Sequence, residues 1–421
     1  MFHNHTNSCD IISMNNFGGN MKIKSLEELK LSGRRVLMRV DFNVPMEEGK
    51  ITDDNRIKAA LKSIKYVIDS NGKLILLSHL GRVKSENDKK KYSLEPVAKR
   101  LGELLNKKVI FVPFTRGKFL EQQILEMKNS DVLLIENTRH EDFPEKKESN
   151  NDKDLGEYWA SLGDLFVNDA FGTAHRAHAS NVGLATNSKE SAAGFLMEKE
   201  IRLLNQVIQN PVRPLVAVLG GAKVSDKIGV IKNLISIADS IIITGAMAYT
   251  FYLAKGYSVG TSLVEKNKTD LAIELMNLAK NKIVLGEDVV TAKEFSNESE
   301  KNIRDVNCIP NDEMGMDVGP KTLDIYFKTL SNAKTVIWNG PLGVFEFSRF
   351  QNGTKKMAEM LASNRSKINT VVGGGDSAAA VIKFGLESSF YHISTGGGAS
   401  MELLEGKKLP GIECLDKKNG F

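Results

Sequence analysis

The sequence predicts two doubly wound α/β sheets in tandem, and three observations carry that prediction. Short β-branched runs recur through both halves at intervals that leave room for a helix between them. The runs are apolar almost throughout, as parallel strands covered on both faces must be. Most of them end in polar residues or glycines, which suits the ligand-facing carboxyl edge of an open sheet.

In the first half the predicted strands are VLMRVDF (36–42), LILLSHL (74–80), VIFV (109–112), DVLLIEN (131–137) and LFVNDAF (165–171). In the second they are PLVAVLGG (214–221), SIIITGA (240–246), IVLGEDVV (283–290), TVIWNGP (335–341), TVVGGGD (370–376) and FYHISTGGG (390–398). Between the halves lies FLMEKEIRLLNQVIQNPVRP, where Met197, Ile201, Leu204 and Ile208 recur at three- and four-residue spacing. That period predicts an amphipathic helix of about four turns, stopped by Pro211 and Pro214. The domain boundary is expected near residue 205, giving domains over 22–205 and 206–405.

A chain of 421 residues is long for one core. Hydrophobic content of 41% and charged content of 26% fit a soluble globular protein. No apolar run approaches the roughly 20 residues needed to cross a bilayer. The net charge of +5 comes with interleaved Lys and Glu, the pattern of a solvated surface rather than of a nucleic-acid binder. Cys9, Cys308 and Cys414 form no pair or motif, which suits a reducing cytosol and a cytoplasmic location. Residues 1–20 lack Lys, Arg and an apolar core, so they fail as a signal or transit peptide. Residues 1–21 read as a disordered extension.

The first-half strands end in RVDFNVP, SHLGR, ENTR and NDAFGTAHRAH, which offer Asp41, Asn43, His79, Arg82, Arg139, His175, Arg176 and His178. Arg56, in TDDNR, joins them from the next loop and helix start. Arginines at successive strand ends would share one crevice, and their repulsion is tolerable only with an anion present. Guanidinium groups bind carboxylate and phosphate through paired hydrogen bonds. A small, multiply anionic ligand is therefore expected in this half. Arg39 points along its strand and reads as structural. The pair His175 and His178 could be metal ligands, an acid/base or part of an anion cradle.

The second half ends its strands in LGGAKVSDK, ITGAMAY, WNGPLGVFE, VVGGGDSAAA and STGGGAS. Glycine lets backbone approach a phosphate, and the helix that follows offers N–H groups and a positive dipole end. Lys223 and Lys227, four apart, are expected on one face of the first such helix. Asp376 in a phosphate-binding helix start calls for a cation between the two, which argues for Mg²⁺ carried with a nucleotide. GGGDSA matches a loose dinucleotide pattern, but the next strand, FYHIS, ends without the acidic residue such a site wants. No P-loop occurs.

Together these segments resemble the phosphoglycerate kinase family. RVDFNVP, SHLGR, NDAFGTAHRAHAS, LGGAKVSDKI, WNGPLGVFE, GGGDSAAA and STGGGAS follow that family's motifs in order, from about residue 22 to the end. The resemblance implies a hinged monomer with 3-phosphoglycerate in the first domain and Mg-nucleotide in the second. It implies triose contacts from Asp41, Phe42, Asn43, Arg56, His79, Leu80, Gly81, Arg82, Arg139 and Arg176. For the nucleotide it implies Gly221, Ala222, Lys223, Lys227, Gly245, Gly315, Asn339, Pro341, Val344, Glu346, Gly374, Gly375, Asp376 and Ser377. Within that set Glu346 would meet the ribose, Pro341 and Val344 the adenine, and Asp376 the metal. Arg56, Lys223 and Gly375 would carry the catalytic step, and residues 406–421 would return to the first domain.

The implied reaction is 1,3-bisphosphoglycerate + ADP ⇌ 3-phosphoglycerate + ATP. Its acceptor is a carboxylate, already ionised at neutral pH, so no general base is needed. The need is in-line positioning and charge neutralisation. On this reading the histidine pair has no proton to move, and Arg176 between them is the ligand. Domain closure would exclude water. The alternatives are an NAD-type dehydrogenase using GGGDSA and a non-catalytic nucleotide-binding protein of the same fold. Two departures stand out: Val83 replaces the usual proline, and Thr244-Gly245-Ala246 replaces a triple glycine, with two added side chains expected to narrow the base pocket or alter the choice of nucleotide.

Overall fold

The computed structural model describes residues 13–14 and 21–416. By its internal contacts the chain forms two compact units, one holding residues up to Arg202 and again from Lys408, the other Leu203–Lys407. The disordered extension expected over 1–21 lies outside the described residues, save for Met21 and for Ser13–Met14, which pairs antiparallel with Met21–Lys22.

The first unit is built on six parallel strands in the order Ser191–Ala193, Leu165–Asn168, Arg35–Arg39, Lys73–Leu77, Val132–Ile135, Val109–Val112. Five of these are the apolar runs. The edge strand Ser191–Ala193 is too short and small-sided to declare itself by pattern. Helix Asn55–Asp69 buries Ile57, Ala60, Ile64 and Val67, three or four apart. Helix Glu95–Leu105, opened by Pro96, buries Val97, Ala98 and Leu101. Both faces join one core cluster with Val36, Met38, Leu74 and Leu76 of the sheet. Each Val, Leu, Ile or Met side chain among them contributes about 1.5–3 kcal/mol when fully buried.

The second unit carries a second six-stranded parallel sheet, ordered Ile283–Val284, Ser240–Ile243, Leu215–Leu219, Thr335–Asn339, Asn369–Gly373, His392–Ile393. The run IVLGEDVV, expected as one strand, is two. Ile283–Val284 closes the sheet edge, and Asp288–Ala292 enters a separate antiparallel sheet with Asn302–Asp305 and Met314–Val318. The break has a long-range cause. Asp288 accepts from Lys321 N at 3.1 Å and Thr322 N at 2.7 Å, which holds it at the start of helix Pro320–Leu330 and away from the sheet.

Helix Phe195–Gln209 contains the division between the units, and buries Met197, Ile201, Leu204 and Ile208. Asp169 accepts from Leu196 N and Met197 N at its first turn. Beyond Lys408 the chain packs on the first unit: Gly411 N donates to Ala174 O at 2.8 Å, and Asn168 Nδ2 donates to Gly411 O at 2.9 Å.

Candidate active site

At the carboxyl ends of the first sheet lies a cavity of about 460 Å³. Arg56, Arg82, Arg139 and Arg176 line it, with Asp41 as the single carboxylate. Asn43, His79 and Gly81 also line it, with Tyr92, Gly172, Thr173, His175 and His178, whereas Phe42 and Leu80 of the expected set do not. Residues that follow four of the strands, Arg35–Arg39, Lys73–Leu77, Val132–Ile135 and Leu165–Asn168, meet here, with Arg56 joining from the start of helix Asn55–Asp69.

Several of these side chains are held before any ligand arrives. Asp41 Oδ2 accepts from Arg56 Nη1 at 2.6 Å, and Asp41 Oδ1 accepts from Asn43 N at 3.2 Å. Asn43 Oδ1 accepts from Gly81 N at 2.9 Å, and Arg139 Nη1 donates to Gly81 O at 2.6 Å. Gly81 has φ +60°, and a Cβ there would lie 2.5 Å from the Tyr92 ring. Only glycine serves at that turn. Arg82 and Arg176 are exposed, with Arg176 Nε 3.1 Å from His175 Nε2.

Phe42 and Leu80 stand differently. Both side chains lie in the core, and their N–H groups go to Ser78 Oγ and Asn137 Oδ1. Arg39 is fully buried, with Nε on Ser180 Oγ at 2.8 Å and Nη2 3.1 Å from His79 Nδ1. The histidines are neutral. Burial, followed by Arg39 and Arg139, holds His79 well below its ordinary value and takes His178 down to about 3. Burial and Arg176 lower His175. The positive character of the cavity therefore comes from the guanidiniums.

The second unit holds a cavity of about 490 Å³ with a different lining. Gly221, Ala222, Gly245, Gly315, Pro341, Val344, Glu346 and Asp376, all among the residues that the resemblance implies for the nucleotide, line it. Sequence reasoning missed Tyr249, Phe295, Phe347 and Asp317. Phe295 and Phe347 pack with ring centroids 5.0 Å apart. Tyr249 explains Gly315, because a Cβ there would fall 1.7 Å from its hydroxyl. Burial raises the Asp317 carboxyl to about 7, although it accepts from Gly353 N and Val318 N. Of the two side chains added in Thr244-Gly245-Ala246, only that of Ala246 lines the cavity; Thr244 is fully buried.

Beside this cavity rather than in its wall are Lys223, Lys227, Asn339, Gly374, Gly375 and Ser377. Lys227 Nζ donates to Asn339 Oδ1. Burial lowers the Lys227 ammonium to about 8, against the pull of Asp376 and Asp226. Gly374, at φ +85°, precedes helix Gly375–Lys383, and a Cβ on it would meet Asn339 Nδ2 at 3.0 Å. Ser377 Oγ accepts from Gly340 N at 2.6 Å, tying that helix to the end of the neighbouring strand. The expectation that Lys223 and Lys227 share a helix face needs correction. The α-helix spans Ile228–Ile237, after a 3₁₀ turn over Ser225–Lys227, so exposed Lys223 precedes it. Glu265, accepting from Ser225 N and Oγ, holds that turn.

Asp376 is exposed in the first turn of its helix. A hard oxygen donor beside N–H groups that have no intrahelical acceptor fits the donor chemistry of Mg²⁺ and of phosphate. Among the described residues no three His, Cys, Asp or Glu cluster as an all-protein metal cage.

The phosphoglycerate kinase family model matches residues 26–407. A phosphoglycerate kinase of Enterococcus faecalis is 58% identical over 398 residues, covering 94% of this chain and all of the relative. One from Fusobacterium nucleatum is 57% identical over 397 residues, with the same coverage. Among solved structures, phosphoglycerate kinase from Coxiella burnetii is similar with a TM-score of 0.84 and 40% identity, covering 93% of this chain and 98% of that one. The Pyrococcus horikoshii enzyme gives 0.81 and 32% at the same coverage.

Proposed function

The chain belongs to the phosphoglycerate kinase family, and from that premise we propose how its two cavities divide the reaction. The activity is reversible phosphoryl transfer between 1,3-bisphosphoglycerate and ADP, giving 3-phosphoglycerate and ATP, a glycolytic step with a carboxyl acceptor. The first unit binds the triose and the second the nucleotide. The observation that supports this division is the contrast in lining: four arginines in one cavity, glycines and aromatic rings in the other.

3-Phosphoglycerate carries a phosphate and a carboxylate, which a cluster of planar guanidiniums suits. Arg82, Arg139 and Arg176 bind it, with Asn43 and His79 adding polar contacts, while Phe42 and Leu80 support the strand ends from the core. Asp41 orients Arg56. The acceptor carboxylate needs no base, so the protein's task is positioning and neutralising charge on the migrating group. Arg56 and Lys223 do this, with N–H groups at the helix start around Gly375. On the nucleotide side, Lys227 stands near the phosphates, Glu346 near the ribose, and Pro341 and Val344 near the base.

Mg²⁺, held by Asp376 together with nucleotide phosphates, would supply further neutralisation there. The enzyme works as a monomer in the cytoplasm, a reading supported by the family and by the free thiols Cys308 and Cys414. Among the described residues no helix is long and apolar enough to cross a membrane. A coupled assay with 3-phosphoglycerate, Mg²⁺ and ATP should release ADP. No ADP, or nicotinamide turnover without ATP, would overturn the reading.

A further inference from the structure

Beneath the arginine-lined cavity runs a chain of buried polar groups. Glu148, with no solvent exposure, accepts from Ser180 N at 2.9 Å and from the Ser180 hydroxyl. Ser180 Oγ accepts in turn from Arg39 Nε at 2.8 Å, and Arg39 Nη2 lies 3.1 Å from His79 Nδ1. The direction of these bonds is fixed chemically. A guanidinium only donates, so His79 Nδ1 must be the acceptor and the ring's single proton sits on Nε2. The rival partner for a protonated Nδ1 is Asp41 Oδ1, at 4.0 Å, which is too far for a hydrogen bond. Burial and the nearby arginines keep the ring neutral.

Stability alone does not account for a wholly buried arginine. Burying a guanidinium carries a desolvation cost, and Arg39 meets Glu148 only through Ser180. Its position explains it better. The opposite tautomer would turn a lone pair toward the cavity and repel an anion there; His79 Nε2 has no protein partner among the described residues and its ring lines the cavity.

We infer that Arg39 is a positioning residue: anchored on Glu148 through Ser180, it fixes His79 as the Nε2–H tautomer, so that the ring offers one N–H donor to the triose anion. The donor's role rests on the placing of the triose in this cavity; the tautomer does not.

Histidine-selective ¹⁵N labelling with long-range ¹H–¹⁵N correlation reads the tautomer in the ligand-free protein. His79 should appear as neutral Nε2–H at neutral pH. Arg39→Met should mix the two tautomers and raise the KM for 3-phosphoglycerate by the inverse of the Nε2–H fraction that remains, about twofold for an equal mixture, without changing the KM for nucleotide. If that variant does not fold, Ser180→Ala keeps both the Arg39 and the Glu148 side chains and should shift the same readouts in the same direction by less. A wild-type His79 carrying Nδ1–H or two protons would overturn the inference. So would a tautomer and triose KM indifferent to Arg39→Met, or to Ser180→Ala where that variant stands in. Titration with 3-phosphoglycerate tests the premise separately: His79 signals that do not move would overturn the placing of the triose, and with it the donor's role.

Discussion

Arg56 donates from Nη1 to Asp41 Oδ2 at 2.6 Å, joining the first turn of helix Asn55–Asp69 to the loop after strand Arg35–Arg39. One of its five donors is thereby used for orientation, and the rest can face a ligand. Arg56→Ala should lower kcat about a hundredfold, as loss of one transition-state donor does. It should also cost about 1–3 kcal/mol of stability, because the buried Asp41 carboxylate loses its cation. Arg56→Lys, a point charge without the planar fork, should restore only part of the rate. Steady-state kinetics alongside thermal unfolding checks both effects.

Lys223 makes the complementary case. Its side chain is exposed, so Lys223→Ala should leave stability within about 0.5 kcal/mol while kcat falls strongly. Near-normal turnover would remove it from the catalytic step.

Lys227 gives the reaction a pH dependence. Burial holds its ammonium at about 8 in the ligand-free protein, so its charge is lost as pH rises through that value. A profile of kcat/KM for the nucleotide, which reports the free enzyme, should fall on the alkaline side of about 8. Lys227→Arg keeps its charge throughout and should flatten that limb; a limb unchanged in the variant would assign it elsewhere.

Strands such as Lys73–Leu77 were legible because continuous apolar runs admit few other readings, and the arginines were legible because they fall at strand ends. What the sequence hides is long-range. Ser180 lies 141 residues from Arg39, and no local pattern tells that they meet. The split of IVLGEDVV depends on Asp288 capping a helix that starts only at Pro320. Tyr249 enters the second cavity from helix Met247–Ala254, and no local pattern tells that it meets Gly315. Gly315 was expected from resemblance alone, and the Tyr249 hydroxyl supplies its physical reason.

The small antiparallel sheet carries an acid-sensitive contact. Arg304 donates to Glu313 from Nε at 3.0 Å and Nη2 at 2.7 Å, which, with the Thr291 hydroxyl, holds the Glu313 carboxyl down at about 2. A carboxyl depressed in the folded state stabilises above its unfolded pKa of about 4.3, and that contribution is lost as pH falls through the folded value. Glu313→Gln should therefore be less stable than wild type at pH about 6, with the gap narrowing toward pH about 3. Denaturant midpoints at both pH values measure it; a gap independent of pH would contradict the assignment.

The division of labour between the cavities is tested most directly by calorimetric titration of Arg176→Ala with each substrate in turn. Arg176 is exposed, so the variant should fold normally. Affinity for 3-phosphoglycerate should fall roughly 10- to 100-fold, the loss of a charge-assisted contact, while affinity for Mg-ADP stays within about twofold of wild type. Unchanged triose binding, or an equal loss for both ligands, would contradict the assignment of the arginine-lined cavity to the triose.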